Sequence, residues 1–493
     1  MSRRSPLHSA CLRARPWLMG LALFGLTATP MRAQTPNTAE PEVRGTWMTT
    51  TANDAIANPT NTAESMRRLR EIGLNTVYVE CWKNGYTEFP SEAMDERVGV
   101  SMKINDAPAE LQRDLLDETL NAAHREGLIY IAWFEYGFMA AFKDTHNSLR
   151  KQHPEWMTTT ADGSLVSDQN PFVWMNPLRP ESRQLILDIV TEAIEKYDLD
   201  GVQLDDRIAW PTSMGYDPYT VAVYKAEHEG QAPPRDDKDP AWVRWRADKV
   251  SEFAKEFYDA CKAVNPDILV SISPAVYDWS LTYYACDWPR WGEAGWMEEY
   301  VPQVYRFDYP AFERTWLEQV RYIGDRRRDL IAGIRVVGDG PDTTWPDMVK
   351  KLDLTRKTKT GGHVHWFSRG VLEVYPEELE AYYDVAKNGP AAHPKFGSEH
   401  RPAPIQLRKV FEGDPQADDP SQRNAAWHYH GRPDLGVPPE PLTGRYRVIG
   451  RVGDAWHTIR TVDFTDIKHN VIRDIDPRFD AVELLVDRRP QQP

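Results

Sequence analysis

Seven residues near the middle of the chain, Asp200-Gly-Val-Gln-Leu-Asp205-Asp206, read as a short buried strand ending in two adjacent carboxylates. Alternate residues of a strand share a face. Gly201, Gln203 and Asp205 therefore point one way, and Val202, Leu204 and Asp206 the other. A polar face with an acid at its C-terminal end suits the mouth of a parallel barrel, where side chains from several strands converge. The bland alternative is a pair of acids that caps the loop or the next helix.

Other segments offer similar faces. Thr76-Val-Tyr-Val-Glu-Cys-Trp82 sets Glu80 and Trp82 beside Thr76 and Tyr78. Ile131-Ala-Trp-Phe-Glu135-Tyr136 sets Glu135 beside Trp133. Val301-Pro-Gln-Val-Tyr305 joins Gln303 to Tyr305, and His363-Val-His365 joins two histidines ahead of Trp366. If these faces share one interior, acids converge there with Trp and Tyr.

That combination suits a sugar. Two carboxyl groups can act on a glycosidic bond as acid and base, or as acid and nucleophile. Aromatic faces stack on pyranose rings while their polar edges bond hydroxyls. Asp205 is the expected nucleophile or general base, and Glu135 or Asp206 the general acid. A pocket walled by Trp133 and Trp210 would raise the acid's pKa by desolvation. Expected substrate contacts are Arg44, Trp47, Glu80, Trp82, Trp133, Tyr136, Asn176, Trp210, Gln303, Tyr305, His365 and Trp366. Each has a structural alternative. Glu80 also suits an ion pair with Arg44, and a strand-end Trp also suits rim packing. His363 and His365 together offer half of a metal site, which would need further ligands from other strands. No other strand supplies an inward His, so no metal and no cofactor is expected.

These residues need a scaffold, and the chain alternates strand and helix from residue 42 to 388. Expected strands are Val43–Thr50, Thr76–Trp82, Leu128–Tyr136, Gly201–Asp206, Ile268–Ser273, Tyr300–Tyr305, Ile331–Val337 and Gly362–Phe367. Amphipathic helices Thr62–Ile72, Leu115–Arg125, Glu181–Tyr197 and Ala241–Val264 lie between them, the first closed by Gly73. Eight strands alternating with helices imply a (β/α)8 TIM barrel of the α/β class. The first strand is not followed by a glycine-rich phosphate loop, which argues against a dinucleotide-binding fold. Long loops after strands three, four and five, rich in Trp, Tyr, Asp and Pro, would build the C-terminal face. Residues 389–442 read as a proline-rich connector. Residues 443–493 read as a small β domain with strands Gly444–Val452, Ala455–Phe464 and Ala481–Val486, the first two joined by a Gly453-Asp454 turn. A module of this kind would be separable from the barrel.

The N-terminus has the pattern of a secretory signal over residues 1–33. Arg3, Arg4, Arg13 and Arg15 precede the apolar run Trp17 to Leu26, with cleavage expected after Ala33 or Ala28. The run is short for a membrane span. Net charge is −15, which argues against a nucleic-acid partner. Loss of the leader's five arginines would take it to about −20. Cys81, Cys261 and Cys286 are too few for a disulfide framework and match no zinc spacing.

Taken together, Glu42-Val-Arg-Gly-Thr-Trp47, Gly85-Tyr-Thr-Glu-Phe-Pro-Ser91, Trp133-Phe-Glu-Tyr-Gly137, His153-Pro-Glu-Trp156, Trp174-Met-Asn-Pro177, Tyr197-Asp-Leu-Asp-Gly-Val-Gln-Leu-Asp-Asp206 and Pro302-Gln-Val-Tyr305 resemble the bacterial family ten glycosyl-hydrolase-like proteins. The resemblance covers roughly residues 42–385. It implies a (β/α)8 barrel, export to the periplasm or beyond, and cleavage of a cell-envelope or extracellular polysaccharide such as peptidoglycan glycan strands. It places the family's Asp pair on Asp205 and Asp206, its strand-three Glu on Glu135, and its Pro-Gln-x-Tyr on Gln303 and Tyr305. Arg207 departs from the pattern, since many relatives carry His or Tyr after the Asp pair. Two alternatives stand beside the glycoside hydrolase: a non-catalytic glycan-binding protein, and a metal-dependent hydrolase or deacetylase built on His363 and His365.

Overall fold

The computed structural model describes residues 40–103, 112–411, 425–429, 442–464 and 471–490. The leader lies outside them. Barrel strands β1 to β5 are Val43–Met48, Thr76–Glu80, Ile129–Phe134, Gly201–Asp205 and Leu269–Ser273. The sixth, β6, comes in two pieces, Glu299–Tyr300 and Gln303–Val304; β7 is Ile331–Arg335 and β8 is Gly362–Trp366. All neighbours are parallel, in the order first piece of β6, β5, β4, β3, β2, β1, β8, β7, second piece of β6. The two pieces close the sheet. Glu299 lies opposite Ser271 of β5, and Gln303 lies opposite Gly333 of β7. Pro302 interrupts β6 because it has no N–H for the ladder, although its carbonyl still accepts from Gly333 N.

Helices cover the outside, and local sequence explains where they start. Helix α1, Pro59–Ile72, begins at a proline behind Asn58, whose side chain accepts from Asn61 N, and ends at Gly73 with φ 109°. Helix α2, Leu115–Arg125, is capped by Asp114. Helices α3, Pro180–Lys196, and α4, Pro240–Val264, also open on proline. Proline suits a first turn because its missing N–H has no helical partner there. Helices α5, Tyr309–Tyr322, α6, Trp345–Lys357, and α7, Pro376–Tyr383, complete the layer. Cys81, Cys261 and Cys286 are buried free thiols. Among the described residues, no helix is long and apolar enough to cross a membrane.

The tail forms two small antiparallel sheets around a separate apolar core that includes Leu407, Trp427, Val448, Phe479 and Leu484. Strands Gly444–Val452, Ala455–Phe464 and Ala481–Val486 form as expected. The described part of residues 389–442 holds more structure than its proline content implies, including strands Ile405–Gln406 and Arg408–Phe411. The tail grips the N-terminal end of β4. Arg401 donates to Asp198 at 2.7 Å and to Asp200 at 2.9 Å, and Arg447 donates to Asn121 at 2.6 Å. Asp200 also meets His124 at 3.1 Å and His400 at 2.7 Å. Burial alone would raise the Asp200 carboxyl, but Arg401 and His124 hold it well below the ordinary range.

Candidate active site

The acids sit at the C-terminal mouth. Gln203 and Asp205 of β4 point inward. Gln203 accepts from Trp47 Nε1 at 2.8 Å and donates to Ser271 Oγ at 2.8 Å. Asp205 Oδ1 accepts from Ser273 Oγ at 2.8 Å and from Gln303 Nε2 at 2.5 Å. Three strands thus fix one carboxylate. Its other oxygen pairs with Arg207, which also pairs with Asp206 and lies 3.9 Å from Glu135. One planar guanidinium reaches all three acids, so the three carboxyl groups share a single cationic partner.

Backbone packing holds Arg207 in place. Gly137 has φ 44°, and a Cβ there would come within 2.6 Å of the Arg207 carbonyl oxygen. Glycine tolerates both the left-handed φ and the close approach. Phe138 N donates to the same carbonyl, and Trp82 Nε1 donates to Gly137 O at 3.0 Å. Trp82, expected as a sugar platform, is fully buried and anchors this turn instead.

The acids are not equivalent. Glu135 is pushed well above the ordinary carboxyl range, first by burial and then by the neighbouring Glu80 charge. Asp205 is pushed up to about 7, mainly by burial, with Arg207 opposing and Asp206 adding. Burial also raises Asp206. A neutral acid beside an ionisable partner is the division of labour that glycosidic cleavage requires.

The floor is aromatic. The rings of Trp47 and Trp133 lie 6.3 Å apart, those of Trp47 and Trp366 5.9 Å, and those of Tyr305 and Trp366 5.5 Å. Gly333 leaves room for Trp47, since a Cβ there would lie 3.2 Å from its ring. Trp366 and Tyr305 keep a partly open face, whereas Trp47 and Trp133 are covered. Trp133 Nε1 and Tyr305 Oη are buried without a hydrogen-bond partner among the described residues. Beside Lys83 and Tyr136, a cavity of about 780 Å³ opens toward Phe142 and Tyr86.

The structure moves four expected contacts out of the mouth. Arg44 faces the helical layer, pairs with Glu42 at 2.7 Å and packs 4.4 Å over Tyr383, so it is not the partner of Glu80. His365 also points outward. It meets Tyr383 Oη at 2.9 Å, as His363 does at 2.7 Å. The inward residues of β8 are Val364 and Trp366, and adjacent strand residues cannot share a face. The histidine pair therefore faces away from the acids. Asn176 is buried in the loop after β3, bonded to Asp217 at 3.1 Å and Thr220 at 2.8 Å. Trp210 is fully buried against Trp245 and Gly215. No group of three or more His, Cys, Asp or Glu among the described residues is placed to hold a metal ion.

Sequence reading passed over Thr50, Lys83 and Ser273. Ser273 was within reach, since Leu269-Val-Ser-Ile-Ser273 alternates small polar residues on one face. Lys83 lies beyond the end of β2, where alternation no longer applies.

A closed parallel barrel with paired acids at its C-terminal mouth is the architecture of glycoside hydrolases, and this defines the protein's class. The chain belongs to the glycosyl hydrolase-like 10 family, whose model matches residues 42–325. Glycosyl hydrolase DigH of Escherichia coli K12 is 25% identical over 388 residues, covering 65% of this chain and 81% of that protein. Glycosyl hydrolase YngK of Bacillus subtilis strain 168 is 24% identical over 214 residues, covering 42% and 38%. Among solved structures, the glycoside hydrolase domain of PgaB (BpsB) from Bordetella bronchiseptica superposes with a TM-score of 0.50 at 13% identity, over 70% of this chain and 99% of that one. Alpha-L-fucosidase isoenzyme 2 from Paenibacillus thiaminolyticus gives 0.52 at 15%, over 70% and 49%.

Proposed function

We propose that this protein is an exported hydrolase that cleaves glycosidic bonds in a cell-envelope or extracellular polysaccharide, with Glu135 as general acid and Asp205 as nucleophile or base. One observation carries the reading: Arg207 gathers Asp205, Asp206 and Glu135 at one mouth, where burial favours the neutral form of Glu135. Protonation by Glu135 would let the leaving oxygen depart as an alcohol. Asp205, oriented by Ser273 and Gln303, would attack the anomeric carbon or take a proton from water. Trp366 and Tyr305 offer partly open ring faces for a pyranose. The leader pattern of residues 1–33 supports export. The proline-rich connector and the terminal β domain belong to the same proposal, as a module that covers the end of the barrel opposite the site.

The test is product release from a panel of glycans that includes peptidoglycan stripped of its peptides. Soluble fragments from one member, lost in both Asp205→Asn and Glu135→Gln, are expected. Binding without fragments from every member would favour the glycan-binding alternative and overturn the hydrolase.

A further inference from the structure

Glu80 is the last residue of β2 and its side chain is fully buried. Oε2 accepts from Thr50 N at 2.6 Å and Thr50 Oγ1 at 2.5 Å, and Oε1 accepts from Lys83 Nζ at 2.7 Å. A backbone N–H and an ammonium can only donate. Both Glu80 oxygens are therefore committed as acceptors, which is the arrangement of an ionised carboxylate. Glu135 stands beside it at the end of β3, where Glu80 is in register with Trp133. Its environment is the reverse. Oε2 is buried, no N–H or hydroxyl among the described residues reaches it, and Lys83 Nζ is 3.6 Å away. Two adjacent buried carboxyls cannot both ionise cheaply, and the donors here all go to Glu80.

We propose that Glu80 is a positioning residue for catalysis: held as an anion by Thr50 and Lys83, it keeps the proton on Glu135 in the free enzyme, so that Glu135 enters each cycle as an acid. The inference rests on the reading of Glu135 as the general acid. The charged and titratable groups around Glu135 are Glu80 and Lys83 from the β2 side, Arg207, Asp205 and Asp206 from the end of β4, Tyr305 from the end of β6 and its neighbour Tyr136. Lys83 and Arg207 favour ionisation of Glu135, whereas burial and Glu80 oppose it. Glu80 is the negative charge that most opposes ionisation of Glu135, and it holds Lys83 at 2.7 Å against 3.6 Å for Glu135. Without its charge, the Lys83 ammonium would face Glu135 alone and draw off the proton.

The experiment is the pH profile of kcat/KM for Glu80→Gln on the substrate found in the glycan panel, beside Glu80→Asp. The alkaline limb should move down by at least one pH unit in Glu80→Gln and return toward the native position in Glu80→Asp. Activity on glycosides with strongly activated leaving groups, which need no acid, should fall less than threefold. An equal loss at every pH with the limb unmoved would overturn the proposal and leave Glu80 a packing residue. If Glu80→Gln does not fold, the infrared difference between native protein and Glu135→Gln at neutral pH decides. A protonated carboxyl band is expected in the native protein, and its absence would overturn the proposal. The underlying reading fails separately: Glu135→Gln would then keep full activity on unactivated substrate.

Discussion

Gln303 donates its side-chain amide to Asp205 Oδ1 at 2.5 Å and to the Ser273 carbonyl at 3.0 Å. One side chain on β6 thus locks the acid of β4 against β5. A hydrogen bond to a charged group contributes roughly 1.5–3 kcal/mol. Gln303→Ala should lower kcat by roughly tenfold to a hundredfold, with a smaller change in KM. Steady-state kinetics on any cleaved glycan checks this. An unchanged kcat would mean that Ser273 and Arg207 orient Asp205 sufficiently.

Asp205→Asn keeps the shape and removes the charge. Turnover should fall at least about a hundredfold, while glycan binding, measured by calorimetry, should largely persist. Glu135→Gln should cost more on substrates with poor leaving groups than on activated ones. Asp205 points into the barrel, so a larger effect of Asp206→Asn would count against Asp205 as the reacting group.

The pH dependence follows from the two shifts. Asp205 must be ionised to act, and its carboxyl is pushed up to about 7, so kcat/KM should fall as pH drops below that value. Glu135 must be protonated, and it is held well above the ordinary range, so the alkaline fall should lie on the basic side of the Asp205 limb. A bell-shaped profile is expected. An acid limb near pH 4, the range of a free Asp, would show that Asp205 is not the group being titrated.

The tail's grip on the barrel predicts a stability effect far from the mouth. Arg401 is 7% exposed and neutralises Asp198 and Asp200, both buried. Removing one partner of a buried pair costs about 3–5 kcal/mol. Arg401→Met should therefore lower the denaturant midpoint, and truncation near residue 390, which also removes Arg447 and His400, should lower it further. The folded-state pKa of Asp200 is depressed. Its stabilising contribution is present above about pH 4 and lost as pH falls through the folded value, so the difference between native protein and Arg401→Met should shrink in acid. A truncated barrel with native stability at neutral pH would show that the network does not carry this load.

Sequence legibility differed from strand to strand, for a physical reason. The limits of all eight strands were readable to within a few residues, because apolar runs bounded by turn residues are a local signal. On β4 the choice of face was readable too, since Gly201, Gln203 and Asp205 form a polar row within an otherwise apolar strand. On β8 the same rule paired His363 with His365 correctly but did not say which side they face. Alternation tells which residues travel together, not which face is inside. Tyr383 on α7, eighteen residues beyond His365, decides that.

The chain by itself determined an alternating α/β barrel, acids at the ends of strands three and four, and a β-rich tail. Only the tertiary structure decided what surrounds each acid. Asp198 and Asp200 flank the same short strand as Asp205 and Asp206, and local sequence gives no reason to separate the two pairs. The lower pair meets Arg401 and Arg447 from residues more than two hundred positions away and is consumed in holding the tail. The upper pair meets Arg207, with Gln303 and Glu135 close by, at the C-terminal end of the barrel. Burial and charge are properties of the surroundings, and those surroundings are assembled only when distant segments fold together.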